Sequence, residues 1–337
     1  MLKIAVLGGG INGLSCAVQI KEKYKNHQVS LILSDFTPNT TGDGSGGLWY
    51  PYLCGNTPPQ LIEKWAGETF VYLRELWRTG VVNICLIPVY FLYTQGGAFT
   101  KPGWADIVYG YMELNSKQLD ILGRRHSYKY SAGVIFTTFV VPPPALLAYF
   151  TKRFQEINGK IIQAKVTSLD DAILKEYDVI INCTGLGARF IVPDDKVVPI
   201  RGQIAKVKAP WLNEVVFVDS DYYIIPNVDM CVLGGTHQDS YSTEVDSKDS
   251  DHIINGCKRV IPGLEHAKSI NHWVGLRPGR SMVRLEAENI KGKLYIHNYG
   301  HGKSKTKFVG CAMWHLAVSF LFIRLRYSPK HPCPVSI

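Results

Sequence analysis

The stretch that decides the fold stands at the amino terminus: KIAVLGGGINGLSCAVQI, residues 3–20. Its apolar start predicts a strand, and the apolar spacing from Ile11 onward predicts a helix. Between them, Gly8, Gly10 and Gly13 have the spacing of the dinucleotide-binding fingerprint. In that fingerprint the first glycine permits the tight turn, the second admits a pyrophosphate, and the third lets the helix pack on the strand.

The residues around this turn extend the predicted nucleotide site. The N–H groups of Ile11 and Asn12 open the helix, and a helix N-terminus attracts phosphate. A second predicted strand, 29–33, leads into Asp35, at the place where a carboxylate holds a ribose hydroxyl. Such an acid disfavours the 2′-phosphate of NADP. The alternative is a tight turn without nucleotide, which we disfavour because strand, glycine and helix signals occur together.

A glycine-rich segment, TTGDGSGG at residues 40–47, follows where an NAD domain would continue with strand–helix units. The hydroxyl and N–H groups of Thr40 and Thr41 suit phosphate or the edge of a ring. The alternative is a flexible surface loop. Against it, Leu48 and two aromatic residues follow directly, and we expect them to be buried.

The composition excludes several other classes of protein. The chain has 337 residues, of which 46% are hydrophobic and 19% charged, as in ordinary globular proteins. Its net charge of +9 is dispersed, so we expect an anionic small ligand and no nucleic-acid partner. The eight cysteines form no CxxC pair, so we expect no metal site. The apolar segment 308–323 is shorter than the roughly 20 residues of a spanning helix. We expect it to be a buried helix, with no membrane association, and the alternative is a tail anchor.

Further strands of the nucleotide-binding sheet are predicted far along the chain. They are residues 160–166 and 178–182, and the second leads into Thr184 and Gly185. A helix predicted at 60–78 lies in the long interval before them. The nucleotide domain is therefore predicted to be interrupted by another domain.

Seven motifs occur in order along the chain. They are TTGDGSGGLWYPY (40–52), VIINCTGLGAR (179–189), RGQ (201–203), YIIP (223–226), GLRPGR (275–280), VRLE (283–286) and HNYGHG (297–302). Together they resemble the D-amino-acid oxidase and D-aspartate oxidase family from residue 1 to about residue 302. The insect-type members are similar through TTGDGS and VLGGTHQ.

The resemblance implies an α/β fold in which a doubly wound, Rossmann-like FAD-binding domain is interleaved with a sheet-based α+β substrate domain. We expect the FAD-binding domain to comprise residues 1–52, 141–193 and 275–323, the substrate domain residues 53–140 and 194–274, and a divergent tail residues 324–337. The implied reaction passes the Cα hydrogen of a D-amino acid as hydride to flavin N5. Oxygen then yields hydrogen peroxide, and the imino acid hydrolyses to a 2-oxo acid and ammonia. A homodimer is also implied as an option.

The family's cofactor contacts carry over onto matching positions. They are Gly8, Gly10, Ile11, Asn12 and Gly13 at the pyrophosphate, Asp35 at the adenosine, Thr40 and Thr41 at the phosphates, Gly47 and Leu48 at the flavin, Val166 by its backbone, and His297, Gly300 and Gly302 along the isoalloxazine.

The substrate contacts implied by the resemblance are anchors, because the cofactor supplies the chemistry. Arg277 matches the carboxylate-binding arginine, and Tyr223 matches the tyrosine whose hydroxyl helps to hold that carboxylate. The alternatives are a surface ion pair for Arg277 and ordinary strand packing for Tyr223. We expect Arg280 and Arg284 to form structural pairs, and Tyr222 to pack on the opposite face of its strand.

Two departures from the family pattern concern the choice of substrate. Tyr50 stands where neutral-substrate enzymes have glutamine, although LWxPY favours that class. His237 stands where acidic-substrate enzymes have arginine, and when protonated it suits a substrate side-chain carboxylate. The alternative is that His237 faces solvent. The sequence leaves D-aspartate and neutral D-amino acids both open.

Rival functions come from the last motif and from related folds. Lys303 and Lys305 replace two glycines of the family's flavin loop, which predicts either a catalytically impaired member or a divergent tail. A glycine- or sarcosine-type flavin oxidase shares the first fingerprint but is not expected to have LWxPY, YIIP and GLRP together. The family implies a peroxisomal location. The final residues, Val335-Ser336-Ile337, do not form an SKL-like peroxisomal targeting signal. The alternative expectation is therefore a cytoplasmic location.

Overall fold

The computed structural model describes residues 1–52, 54–95, 100–219, 221–290 and 292–302. The strands are β1 (Lys3–Leu7), β2 (Gln28–Leu33), β3 (Cys85–Tyr93), β4 (Tyr109–Glu113), β5 (Ala132–Val140), β6 (Lys160–Gln163), β7 (Val179–Asn182), β8 (Val198–Lys208), β9 (Val215–Val218), β10 (Tyr222–Pro226), β11 (Cys231–Gly234), β12 (Lys268–Ile290) and β13 (Lys293–His301). The helices are α1 (Ile11–Lys23), α2 (Pro59–Thr79), α3 (Ser116–His126), α4 (Pro143–Glu156), α5 (Ala188–Ile191) and α6 (Ser247–Val260).

The strands form one mixed sheet in the order β4-β5-β3-β9-β10-β11-β8-β12-β13-β7-β1-β2-β6. From β13 to β6 all neighbours are parallel. From β5 to β13 the pairs are antiparallel, except for β3 with β9. Strand β2, which follows β1 in the chain, pairs with one edge of β1, whereas β7 pairs with the other edge. The carboxyl end of β1 is therefore a topological switch point, where open α/β sheets bind ligands.

The parallel part forms because its strands are continuous apolar runs. Residues Ile4 to Leu7 are buried completely or almost so, as expected for a strand covered on both faces. Helix α1 presents Leu14, Ala17 and Val18 to the core, and it packs against α4. The predicted α/β class with a parallel nucleotide-type sheet is confirmed.

The antiparallel part has a different core on each face of β10. Tyr223 and Ile225 belong to the large core that also contains the parallel strands. Tyr222 and Ile224 belong to a second core, which α6 covers with Ile253. The predicted orientation of Tyr222 is confirmed: its hydroxyl accepts a hydrogen bond of 2.8 Å from an arginine of α6, on the face opposite Tyr223.

Two predicted boundaries differ from the structure. The strand expected at 160–166 ends at Gln163, because its neighbour β2 ends at Leu33 and offers no further ladder after one bond to Ala164. The division into two domains at residues 274 and 275 falls inside β12, which pairs with β8 on one side and β13 on the other. The division stays a proposal.

The described residues contain neither a membrane-spanning helix nor a cluster of metal ligands. No helix there combines the length and the apolar character needed to cross a bilayer. No group of three or more histidine, cysteine or acidic side chains gathers there as a metal site would require. The segments 303–307 and 308–323, on which the sequence predictions about the flavin loop and the last helix depend, lie outside the described residues.

Candidate cofactor and substrate site

A cavity of about 410 Å³ opens at the carboxyl ends of β1, β2 and β7. It thus lies at the switch point of the sheet. The predicted site residues that line it are Gly8, Gly10, Ile11, Asn12, Asp35, Thr40, Thr41, Val166 and Arg277. The structure therefore brings together residues from the glycine turn, the end of β2, the glycine-rich segment, the end of β6 and β12.

The three fingerprint positions are glycine for different physical reasons. Gly8 has a φ of +109°, and a Cβ there would lie 2.6 Å from the carbonyl oxygen of Cys183. A Cβ on Gly13 would lie 1.9 Å from the carbonyl oxygen of Gly8, so this glycine allows helix and strand to approach. A Cβ on Gly10 would meet no heavy atom within 4 Å. The protein itself leaves space at Gly10, and a group bound in the cavity would fill it.

The polar atoms of the cavity wall suit a phosphate-containing ligand. Helix α1 begins at Ile11 without a side-chain cap and without an acidic residue in its first turn, so its first N–H groups face the cavity unblocked. Asn12 Oδ1 and Ser45 Oγ are buried and have no hydrogen-bond partner among the described residues. Buried polar atoms are normally paired, so a ligand that supplies both partners fits this wall.

Asp35 provides the carboxylate expected for a ribose. Its side chain is exposed at the end of β2 and accepts a 2.6 Å hydrogen bond from Ser34 Oγ. The backbone of Asp35 packs closely on the glycine turn, since a Cβ on Gly9 would lie 2.5 Å from its carbonyl oxygen. This contact explains the central glycine of the GGG run, to which the dinucleotide fingerprint gives no role.

The segment 40–47 is an ordered turn rather than a flexible loop. Asp43 accepts hydrogen bonds from the backbone N–H and the hydroxyl of Thr40, at 2.8 and 2.7 Å, and also from the hydroxyl of Thr37. Thr40 is therefore held inside the turn, whereas Ser45 Oγ remains available to the cavity. Thr41 Oγ1 lies 3.5 Å from the carbonyl oxygen of Leu276 on β12.

Three glycines of this segment serve packing. A Cβ on Gly44 would lie 2.2 Å from the Trp273 ring, and one on Gly46 would lie 2.8 Å from Ile225 Cδ1. Gly47 has a φ of +73° and approaches the carbonyl oxygen of Val141. The sequence suggested backbone donors for a ligand here, but these three glycines dock the segment on the sheet.

Gly47 and Leu48, predicted at the flavin, are not among the described residues that line the 410 Å³ cavity. Leu48 is buried and forms an isolated antiparallel bridge with Val140 at the end of β5. Their assignment to the flavin stays a prediction from family resemblance. Gly13 also lies behind the wall rather than in it, for the packing reason given above.

Arg277 brings a cationic side chain to the site. Its partly buried side chain lines the cavity, and Nη1 donates a 3.3 Å hydrogen bond to the carbonyl oxygen of Thr236. Within the described residues no carboxylate lies within ion-pair distance of its guanidinium, in contrast to Arg280 and Arg284. The expected pairing of these two is confirmed, since Arg280 bonds Asp194 at 2.9 Å and Arg284 bonds Asp194 and two glutamates. The alternative of a surface ion pair for Arg277 is not what the structure contains.

The two predicted substrate tyrosines belong to one buried aromatic cluster. The ring of Phe217 lies 5.8 Å from that of Tyr50 and 5.6 Å from that of Tyr223. The Tyr223 ring also lies flat against Gly234, where a Cβ would be 1.9 Å from Cζ. Neither tyrosine is among the described residues that line the cavity, so their contact with a substrate stays a prediction.

His237 is held neutral by its surroundings. It follows Thr236, whose carbonyl binds Arg277, and its side chain is partly buried. Burial and then the positive charge of Arg277 lower the pKa of His237 below its ordinary value. The protonated form that would receive an acidic side chain is therefore disfavoured at neutral pH.

His297 is not among the described residues that line the cavity, and its place along the cofactor stays a prediction. It is fully buried, with Nε2 at 2.5 Å from Glu288 and Nδ1 at 3.4 Å from the side-chain amide of Asn182. His301 lines the cavity instead, and its Nδ1 lies 3.1 Å from Asn12 Nδ2. The physical reason lies in Gly300, whose φ of +86° breaks the side-chain alternation of β13 between the two histidines.

Gly302 packs closely against Arg277, and the place of Gly300 and Gly302 along the isoalloxazine stays a prediction. A Cβ on Gly302 would lie 3.0 Å from Cβ of Arg277, and one on Gly300 would lie 2.8 Å from Cβ of Arg280. The glycines of HNYGHG thus let β13 approach the two arginines of β12. Burial lowers the pKa of the neighbouring His301 to about 4.

The lining extends beyond the predicted residues. Polar examples are Ser45, Thr184 and His301. Thr184 follows β7, and its hydroxyl donates a 2.7 Å hydrogen bond to Asn182 Oδ1. A hydroxyl directly after a buried parallel strand was a usable signal, because such strand ends meet at the switch point.

The cavity lies at the switch point of the sheet, and its glycine turn offers N–H donors that suit phosphate. Arg277 lines the same cavity and has no carboxylate partner among the described residues. These features define a dinucleotide-binding enzyme for anionic substrates. The family model described as "DAO: FAD dependent oxidoreductase" matches residues 3–314, and the chain belongs to this family. FAD is therefore its cofactor, and the wall described above fits that group. The resemblance seen in the sequence is confirmed.

Individual relatives agree with the family. The chain is 38% identical to the D-amino acid oxidase of Dugesia ryukyuensis over 92% of this chain and 95% of that protein. It is 32% identical to the D-aspartate oxidase of Homo sapiens over 89% of each. Among solved structures, a glycine oxidase from Bacillus cereus has a TM-score of 0.72 at 17% identity, over 90% of each chain. That likeness shows the fold alone.

Proposed function

We propose that this protein is an FAD-dependent oxidase that deaminates D-amino acids oxidatively. The relatives named above support the activity, and the observation that carries it is the unpaired guanidinium of Arg277 at the cofactor cavity. A partly buried arginine without a carboxylate partner is costly, and a substrate carboxylate would supply that partner by two parallel hydrogen bonds.

The protein's own residues bind and orient the substrate. Arg277 fixes the carboxylate, while the Thr236 carbonyl bond restrains the guanidinium on one side. The cluster of Tyr50, Phe217 and Tyr223 excludes water and packs against apolar parts of the substrate. FAD, when bound, supplies the electron acceptor for the Cα–H bond. The chain then needs only to hold Cα in place, so no side-chain base is required.

For the side chain of the substrate we propose a preference for neutral D-amino acids. A D-aspartate side chain would need a second positive charge near Arg277. His237 is the neighbouring candidate, but burial and Arg277 itself lower its pKa. The aromatic cluster beside it suits an apolar side chain instead.

The test is a peroxide assay on the purified FAD-loaded protein. The panel comprises D-alanine, D-proline, D-aspartate, D-glutamate, their L-forms, glycine and sarcosine. Turnover of D-forms alone supports the proposal, and turnover of glycine or sarcosine alone would transfer it to a glycine-type oxidase. Arg277→Ala should remove most turnover while the protein stays yellow, because the role proposed for the arginine is to bind the substrate carboxylate. Near-wild-type turnover of that variant would refute the anchor.

Further properties that the family implies stay proposals here. They are hydrogen peroxide as the reduced product of oxygen, a homodimeric state, and a peroxisomal or otherwise cytoplasmic location. The peroxide assay tests the first directly. Reconstitution of the yellow colour with added FAD tests the rival of an impaired member, because a chain that cannot hold FAD stays colourless.

A further inference from the structure

Arg201 is a buried arginine that the proposed reaction has not used. Its side chain on β8 is about 4% exposed, so its charge needs partners. Nη1 donates to Gln238 Oε1 at 2.5 Å and to Asp249 Oδ2 at 2.8 Å. Nη2 donates to Gln203 Oε1 at 2.8 Å and to the carbonyl oxygen of Glu244 at 2.7 Å. Four acceptors from separate parts of the chain thus meet one guanidinium.

These acceptors tie the segment 236–238 to β8 and to α6. The backbones of Arg201 and Gln238 exchange two hydrogen bonds, of 2.8 and 3.0 Å. The amide side chain of Gln238 donates to both carboxylate oxygens of Asp249, at 3.1 Å. The N–H of Gln203 donates to the hydroxyl of Thr236 at 2.8 Å. The segment is therefore fixed from both sides although it is not part of a regular strand.

The same segment touches the substrate anchor. The carbonyl oxygen of Thr236 accepts the 3.3 Å hydrogen bond from Arg277 Nη1. The guanidinium of Arg277 also lies directly over Gly202, the residue between Arg201 and Gln203, where a Cβ would be 2.2 Å from Nη1. Arg277 is thus in contact with both strips of backbone that Arg201 joins.

We propose that Arg201 is a positioning residue for the substrate carboxylate, acting through the segment 236–238 and Gly202 on Arg277. This inference rests on the proposed function, since it assigns a role at the same site. A long arginine side chain has many rotamers, and binding a carboxylate by two parallel hydrogen bonds needs one particular rotamer. The Arg201 network holds the carbonyl and the backbone surface that select that rotamer.

A buried network of this kind is weak evidence for stability, because replacing buried ion pairs by apolar residues is often neutral. Its position is what distinguishes it. The network of Arg284 with Glu286 and Glu288 also pairs a largely buried guanidinium, but among the described residues it does not contact the segment 236–238. Arg284 is therefore the matched control, on the same strand as Arg277.

The test compares Arg201→Lys with Arg284→Lys in the full-length FAD-loaded protein. Lysine retains the charge at position 201 but cannot reach all four acceptors. We expect Arg201→Lys to weaken benzoate binding, measured by perturbation of the flavin absorbance, by about tenfold, comparable to one or two hydrogen bonds. KM for D-alanine should rise by a similar factor with a smaller change in kcat. Arg284→Lys should lower the melting temperature without moving either constant.

Gln238→Met provides a second variant if Arg201→Lys does not fold. It removes one acceptor of the network while Asp249 and Gln203 continue to satisfy Arg201. Benzoate affinity and KM within about twofold of wild type in the folded variants would overturn the positioning role. A wild-type protein that binds benzoate more tightly than Arg201→Lys but turns over no D-amino acid would instead contradict the proposed function, so the two failures are distinguishable.

Discussion

The guanidinium of Arg277 rests on the backbone of Gly202, and a Cβ on that glycine would lie 2.2 Å from Nη1. Gly202 of β8 pairs with Gly275 of β12, which precedes Arg277 by two residues. The contact therefore joins the two strands. A substitution at Gly202 can therefore displace the Arg277 guanidinium without removing it.

Gly202→Ala is expected to displace Arg277 and raise KM for D-amino acids by about tenfold, since one of two hydrogen bonds to the carboxylate is lost. The clash involves the end of a flexible side chain, so the melting temperature should change little. Gly67→Ala on α2 is the control, because its Cβ would meet only an ordinary contact at 3.8 Å. An unchanged KM with a lowered melting temperature would show that Gly202 serves packing alone.

Adjacent tyrosines on β10 provide a matched pair. Tyr223→Phe keeps the ring over Gly234 but removes the hydroxyl, so KM for D-alanine should rise about five- to tenfold while FAD binding persists. Tyr222→Phe removes a hydroxyl bonded to Arg259 on the opposite face, so it should leave KM unaltered. Steady-state kinetics of both variants would decide the matter. Equal effects would argue against a substrate role for Tyr223.

The fingerprint glycines are expected to separate cofactor binding from folding. Gly10→Ala adds a methyl group in open space, so FAD-free protein should lose about 1 kcal/mol or less of unfolding free energy. Its FAD affinity should fall at least about tenfold, because the methyl group occupies the cofactor's space. Gly13→Ala adds a Cβ 1.9 Å from the Gly8 carbonyl oxygen and should destabilise the FAD-free protein by about 1–3 kcal/mol. Urea unfolding and FAD titration measure both.

The sequence could predict those parts of the site that a single local motif determines. The turn from Gly8 to Gly13 and the acid at Asp35 are of this kind, since strand, turn and helix fix them within one unit. The roles of Gly44 and Gly202 were not predictable. Their partners, Trp273 and Arg277, lie far away in sequence and meet them only after the sheet has formed. Side-chain alternation along β13 could not show that His301 lines the cavity, because the positive φ of Gly300 interrupts it.

Burial of His301 predicts a pH dependence of stability. Its pKa is lowered to about 4 in the folded protein, against about 6.5 when unfolded. The unfolded state therefore binds more protons between these values, and the unfolding free energy falls as pH is lowered, by up to about 1.4 kcal/mol per pH unit. His301→Gln should flatten this slope in urea unfolding of the FAD-free protein. The exposed His266→Gln is the control, and an equal slope in all three proteins would refute the assignment.

His237 predicts a pH dependence of substrate choice. Its lowered pKa favours the neutral form at neutral pH, and it gains charge only as the pH falls below the ordinary histidine value of about 6.5. The kcat/KM ratio of D-aspartate to D-alanine should therefore be small at about pH 8 and rise towards about pH 5.5. His237→Ala should abolish that rise. A ratio above one at pH 8 would contradict the proposed neutral preference.

The central claim is that Arg277 and the FAD cavity act together on D-amino acids. The most direct measurement is anaerobic mixing of the purified yellow protein with D-alanine, L-alanine or D-aspartate, followed by the flavin absorbance. We predict that D-alanine bleaches the flavin absorbance, that L-alanine does not, and that Arg277→Ala remains yellow and unbleached. A wild-type protein that holds FAD but is bleached by no D-amino acid would contradict the account.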